Sequence, residues 1–299
     1  MEESRARRNW KRWGDQDERG ALNLLTDEGT LAAARGCRSG KTYSLALPLQ
    51  RDGVPIVAYR GSPQRLSLMN QADPGQFAAW GGTDAMGANE DVLILPSHSV
   101  THMDALSHVY ADGVLFNGFP SAAVRTYDGA PFCGIDKVRA VAGRCVLLDI
   151  AGHQRVDWLE PGYTISGSDM QACADSQGVE LRSGDIVLIR TGYVEYWMSL
   201  GGQDLPFAQP GIGLDAVDFI HQHDFALIGA DNSAVEVVPF DDHYMSGHLA
   251  LLVSMGVPLI EHLMLAELAH DRVHEGLFVV APLPVTGASG SPVNPVVIA

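Results

Sequence analysis

Short apolar runs, broken by glycine, aspartate and proline, recur along this 299-residue chain. Residues 41–49, KTYSLALPL, alternate apolar and polar positions, as a strand with one buried face does. Residues 91–98 (DVLILPSH), 143–151 (GRCVLLDIA), 184–192 (GDIVLIRTG) and 225–232 (FALIGADN) are apolar runs bounded by Gly or Asp, the pattern of buried strands. Helices are predicted between them. Residues 26–36, TDEGTLAAARG, offer Thr26 as an N-cap and Gly36 as a stop. Residues 166–178 (SGSDMQACADSQG) begin on a serine cap, and 213–224 (GLDAVDFIHQHD) follow a Pro-Gly turn. Residues 247–256, GHLALLVSMG, are apolar nearly all round and predict a buried helix. Residues 261–273, EHLMLAELAHDRV, read as a further helical piece. The elements interleave without a strict strand–helix–strand rhythm. They predict one α/β domain with a mixed β-sheet or barrel-like core surrounded by helices. The Gly-, Pro- and Ser-rich stretch 282–295 reads as an ordered loop or extended tail rather than a domain boundary.

Charge narrows the partners. Asp and Glu number 36 against 20 Lys and Arg, a formal charge of −16, which argues against nucleic-acid binding. An acidic surface can still hold a local cationic pocket, so anionic small substrates remain compatible. The first twenty residues are charged and lack the apolar core of a signal peptide. No run approaches eighteen consecutive apolar residues, so no membrane span is expected. Cys37, Cys133, Cys145 and Cys173 are scattered with no C-x-x-C pair, which suggests a cytoplasmic protein with reduced thiols.

The chemistry concentrates at residues 98–108, HSVTHMDALSH. Imidazole nitrogens and carboxylate oxygens are what divalent transition metals bind, and three protein ligands with an open position make a catalytic site. His98, His102 and Asp104 supply three. His102 and Asp104, two apart, share a face if the backbone is extended. His98, four before His102, joins them only if the chain bends there. The alternative is a turn decorated with surface or core histidines. A structural zinc site is disfavoured, because no cysteine is nearby. The run DVLILP is expected to give the loop a rigid base.

This stretch resembles the His-x-Gly-Thr-His-x-Asp-x-x-x-His signature of the cyclase family, which includes bacterial kynurenine formamidase and isatin hydrolase. Val100 stands where the family usually has Gly, and Leu106 where many members have Pro. Residues 13–26 (WGDQDERGALNLLT) are similar to the opening of the longer members, and 184–192, 226–239 and 247–268 resemble later blocks in the expected order. The resemblance implies a single domain over 1–299, of the family's swivelling β/β/α type, with an N-terminal extension of about 1–40 packing on it. It implies a metal-dependent hydrolase of amide or cyclic amide C–N bonds, in which hydroxide generated at the metal attacks the carbonyl. One or two ions, Zn2+ or Mn2+, and a homodimer or homotetramer acting on a small molecule belong to the same expectation.

Residue by residue, the resemblance makes His98, His102 and Asp104 ligands of a first metal. It makes His108 either a ligand of a second ion or a base beside the first. His248 and Glu261 match later His and Glu positions and complete a second site, with Asp104 bridging. Read without it, His248 caps or decorates its helix and Glu261 is an exposed carboxylate opening the next one. Thr101 either hydrogen-bonds Asp104 or holds an extended bend. Asp231 and Asn232 are either turn residues or pocket lining, and Phe116–Gly118 is expected to shape the pocket wall. His153, His221, His223, His243, His262, His270 and His274 are expected to be solvated, and His243 is singled out for its acidic neighbours and its nearness in sequence to His248.

Rival chemistries are a metal-dependent lyase or dehydratase, a lactone hydrolase, and a non-catalytic metal-binding protein. No G-x-S-x-G and no G-x-x-x-x-G-K-[ST] occurs, which disfavours serine-hydrolase and phosphate-loop chemistry.

Overall fold

The computed structural model describes residues 7–73, 75–83, 85–201 and 206–299. Its strands are β1 Thr42–Ser44, β2 Gln64–Met69, β3 Glu90–Ile94, β4 His102–Asp104, β5 Val141–Asp149, β6 Thr164–Ile165, β7 Ile186–Arg190, β8 Gly211–Ile212, β9 Leu227–Ala230, β10 Leu259–Glu261, β11 Glu275–Val280, β12 Gly290–Pro292 and β13 Val296–Ile298. Nine of them form one curled half-barrel sheet in the order β1-β13-β11-β5-β7-β9-β10-β4-β12.

The middle of this sheet is parallel. β5, β7, β9 and β10 pair in succession. Parallel neighbours need a crossover, and the helices Gly167–Gln177, Leu214–His223 and Ser246–Met255 supply three in a row. Between residues 141 and 261 the rhythm is therefore regular, where the sequence pattern gave none. Helices on one face leave both faces of these strands buried. Val146, Leu148, Val187 and Ile189 pack with the helices, while Leu147, Ile186 and Leu188 fill the opposite face with Met103, Ile260 and Phe278. The apolar runs carry no alternation for that reason.

Helix ends follow the predicted chemistry. Thr26 accepts from the Gly29 amide ahead of Asp27–Gly36. Ser166 and Asp169 form a reciprocal capping box, and Gly178 ends that helix in the left-handed region. The buried helix expected at 247–256 is present, as a turn Ser246–His248 continuing into a π-helix Leu249–Met255.

Two expectations fail. Residues 261–273 are helical only over Ala266–His270, because Glu261 belongs to β10 and pairs with His102. DVLILP forms β3, but β3 pairs with β2 in a separate two-stranded ribbon, where Leu66, Leu68, Leu93 and Ile94 are exposed. The histidine loop is anchored instead by β4, held between β10 and β12. The alternation at 41–49 is realised, with Tyr43, Leu45 and Leu47 buried. The Gly-rich tail supplies β12. All four cysteines are free. Among the described residues, no helix is long and apolar enough to cross a membrane.

Candidate metal centre

β4 is three residues long and wholly buried. Its extended backbone puts His102 and Asp104 on one face and Met103 on the other, in the apolar core. Register adds a further carboxylate. In the antiparallel pairing with β10, Glu261 lies directly opposite His102, and directly opposed side chains meet. His102 Nε2 is 3.3 Å from Glu261 Oε2 and 3.5 Å from Asp104 Oδ1. On the other side, Gly290 of β12 lies opposite Asp104. A Cβ there would sit 2.6 Å from His98 Cε1, so glycine leaves the space that the His98 ring occupies.

The bend required between His98 and His102 is made at Val100, whose φ is 53°. This is the left-handed region, where glycine is at ease and a β-branched side chain is strained. Its carbonyl explains the cost. Val100 O accepts from His102 Nδ1 at 2.7 Å and from His262 Nδ1 at 3.1 Å. A carbonyl can only accept, so both imidazoles carry their proton on Nδ1 and turn Nε2 inward. His98 Nδ1 is 2.7 Å from Asp104 Oδ1, and its Nε2 contacts Ser289 Oγ at 3.0 Å. His108 lies 3.9 Å from His98, ring centre to ring centre, and 6.2 Å from His248.

His248 arrives from the far end of the chain. Glu236 accepts from the amides of Gly247 (2.6 Å) and His248 (3.0 Å) and from His248 Nδ1 (2.5 Å). That leaves Nε2 3.3 Å from Glu261 Oε1 and 3.7 Å from Asp104 Oδ2. The other end of the helix is held by the N-terminal segment. Asn9 N donates to Ser254 O, Asn9 Nδ2 to Met255 O and Trp10 Nε1 to Val253 O. These bonds satisfy carbonyls that a helix end leaves open.

All six residues predicted for the site, His98, His102, Asp104, His108, His248 and Glu261, thus come together. Electrostatics follow from burial and contact. Burial alone would raise the Asp104 pKa, but His108, His98 and His102 hold it well below the carboxylate range. Glu261 is likewise brought down against burial, to about 2, chiefly by His102 and His248. Burial lowers His248, yet its bonds to Glu236 and Glu261 win and push it up to about 10. His108, with burial dominant, drops to about 4.

The donor set suits a divalent ion. His102 Nε2 and Asp104 Oδ2 are buried and have no hydrogen-bond partner, a costly state that an ion would relieve. Two ligand groups meet here, His98–Asp104–His108 and His102–Asp104–Glu261, and Asp104 belongs to both.

The remaining expectations have mixed outcomes. Thr101 does not bond Asp104; its hydroxyl donates to His262 O and accepts from the Leu47 amide. Asp231 accepts from the amides of Thr191 and Gly192, and Asn232 closes a turn onto Val235, so both are turn residues. Asn117 of Phe116–Gly118 bonds to Lys11, Gly14 and Asp17 and so holds the N-terminal segment. His262 is buried beside His102 instead of solvated, because the chain turns at its left-handed φ of 56° after β10 and its Nδ1 donates to Val100 O. His243 is exposed and pairs with Asp242. Sequence reasoning missed Glu236, His262 and Ser289. For Glu236 a signal existed: a carboxylate inside the apolar stretch AVEVVP needs a partner.

A family model described as "Putative cyclase" matches residues 43–237, and the chain belongs to that cyclase family. It is similar to the crystal structure of a novel cyclase, at 36% identity and a TM-score of 0.87, covering 98% of this chain and 97% of that one. It shares the fold of isatin hydrolase A from Labrenzia aggregata bound to benzyl benzoate (18% identity, TM-score 0.62, 87% and 94% covered). The same holds for a potential metal-dependent hydrolase with cyclase activity (22%, TM-score 0.54, 86% and 98%). No curated protein matches the chain with significance.

Proposed function

We propose that the protein is a metal-dependent hydrolase of an amide or cyclic amide C–N bond. The observation that carries this is Asp104, fully buried and common to two ligand groups, beside a buried His102 Nε2 that has no hydrogen-bond partner. The fold shared with isatin hydrolase A and the cyclase membership support the reading. His98, His102, Asp104, His248 and Glu261 would hold one or two divalent ions, Zn2+ or Mn2+, with Asp104, common to both ligand groups, between them if there are two. An ion bound there acidifies water and polarises a carbonyl oxygen.

The chain's own groups divide the remaining work. Burial keeps His108 neutral at pH 7, with its pKa lowered to about 4, so beside His98 it would pass a proton on to a leaving nitrogen rather than hold one. Glu236 fixes the tautomer and direction of His248, as a carboxylate behind a metal-binding imidazole does. Assembly as a homodimer or homotetramer is part of the same proposal, and sedimentation velocity tests it.

Bound metals should be quantified in the wild type and in His102→Ala. Both should then be assayed with zinc or manganese against N-formyl aryl amines, isatin-like rings and lactones in 18O-water. Metal lost with His102, together with 18O entering a carboxylate product, supports hydrolysis. Turnover without solvent oxygen in the product would favour a lyase. Metal retained without turnover of any member would favour a binding protein.

A further inference from the structure

The partly buried Lys and Arg side chains among the described residues are Arg7, Arg60, Lys137, Arg144 and Arg190. Four of them meet carboxylates: Arg7 with Asp218, Lys137 with Asp136, Arg144 with Asp185 and Glu275, and Arg190 with Asp149 and Glu195. Arg60 meets no carboxylate among the described residues, in a chain with 36 acidic residues. Its Nη1 donates to the backbone carbonyl of His98 at 3.0 Å and its Nε to the Tyr59 hydroxyl at 3.2 Å. Tyr59 is 82% exposed. The guanidinium therefore stands between solvent and the loop that carries the first histidine of the metal centre. Its charge also reaches His262, whose Nε2 is buried without a hydrogen-bond partner.

We propose that Arg60 is a specificity-determining residue that binds a carboxylate carried by the substrate at a distance from the bond being cleaved. The proposal rests on the hydrolase reading and narrows its substrate class to anionic amides or ring amides. A guanidinium presents a planar fork of N–H donors that matches a carboxylate in two parallel bonds. Bonds to the His98 carbonyl and the Tyr59 hydroxyl use one N–H of Nη1 and the Nε–H, and leave N–H donors on Nη1 and Nη2. A net charge of −16 would repel an anionic substrate from most of the surface, so a cation held beside the metal loop gives such a substrate one place to dock.

Two measurements on zinc-loaded protein test this. The first compares kcat/KM for formanilide with its ortho, meta and para carboxylates, in the wild type, Arg60→Gln and Arg60→Lys. One carboxylate isomer is expected to exceed formanilide by about 10- to 100-fold in the wild type. That ratio should fall to about one in Arg60→Gln and lie between in Arg60→Lys, which keeps the charge and loses the fork. The second needs no turnover. Phthalate, isophthalate and terephthalate are compared with benzoate as ligands, by thermal shift and calorimetry. One dicarboxylate should bind about 10- to 100-fold tighter than benzoate in the wild type and no tighter in Arg60→Gln. Dicarboxylate selectivity that depends on Arg60, with no formanilide hydrolysed, would refute the amide-hydrolase reading and leave the anion site standing. Absence of any charged preference in the wild type overturns the proposal without reference to a variant. Equal weakening of mono- and dicarboxylate in Arg60→Gln, together with lost zinc, would show a brace for the His98 loop and overturn it as well.

Discussion

Glu236→Gln tests the electrostatic account of the site most directly. In the metal-free protein, contact with Glu236 and Glu261 raises His248 from 6.5 to about 10 against the opposing effect of burial. That difference corresponds to about 5 kcal/mol of preference for the charged imidazole in the folded state. Sharing it between the two carboxylates leaves about 2 kcal/mol to Glu236. Its bonds from the Gly247 and His248 amides add about 1 kcal/mol once their charge assistance is lost. The variant should therefore lose about 3 kcal/mol at pH 6, a large part of an ordinary protein's stability. Because folding raises this pKa, the coupling is fully present below pH 6.5 and disappears as the pH rises through about 10. The gap between wild type and variant should shrink to about 1 kcal/mol at pH 10.5. Urea titrations of both proteins in a chelator, from pH 6 to 10.5, measure it. Other groups that titrate in this range cancel in the difference. A gap that stays constant with pH, or one below about 1 kcal/mol at pH 6, would refute the assignment of Glu236 as the residue that holds His248.

Gly290→Ala should cost about 1–3 kcal/mol and weaken zinc binding, since its Cβ would fall 2.6 Å from His98 Cε1 and 2.9 Å from Met103 O; melting and chelator competition report the two effects. His108 is held near 4, below its unfolded value of 6.5, so stability is lost as the pH falls between them. Metal-free His108→Gln should be less acid-sensitive than the wild type by up to about 3 kcal/mol at pH 4, and parallel acid titrations would contradict this. Trp10→Phe removes the bond to Val253 O at the end of the His248 helix, for about 1 kcal/mol by thermal melting, and a loss below about 0.3 kcal/mol would mean that Trp10 does not anchor it.

Local chemistry was legible wherever it acts over a few residues. Thr26, Ser166 and Gly178 punctuate helices as their side chains or permitted dihedrals dictate. The His102–Asp104 pair shares a face because strand geometry has a period of two. The need for a bend after His98 followed from spacing, and Val100 makes it. Partnerships across the chain were not legible. Whether an apolar run joins the main sheet depends on which neighbours reach it. KTYSLALPL finds β13 and is buried, whereas DVLILP finds only β2 and stays exposed.

The sequence by itself determined the donor set: which side chains can bind an ion, the face that two of them share, and the class of fold able to carry them. Only the tertiary structure decided how those donors are aimed. Register across β4 and β10 sets Glu261 against His102, a glycine in β12 makes room for His98, and Glu236 turns His248 inward from twelve residues away. The physical reason is one of range. Caps, periodicity and ligand chemistry are properties of neighbouring residues, whereas register, burial and the pKa of a buried imidazole depend on groups that meet only after the sheet has closed.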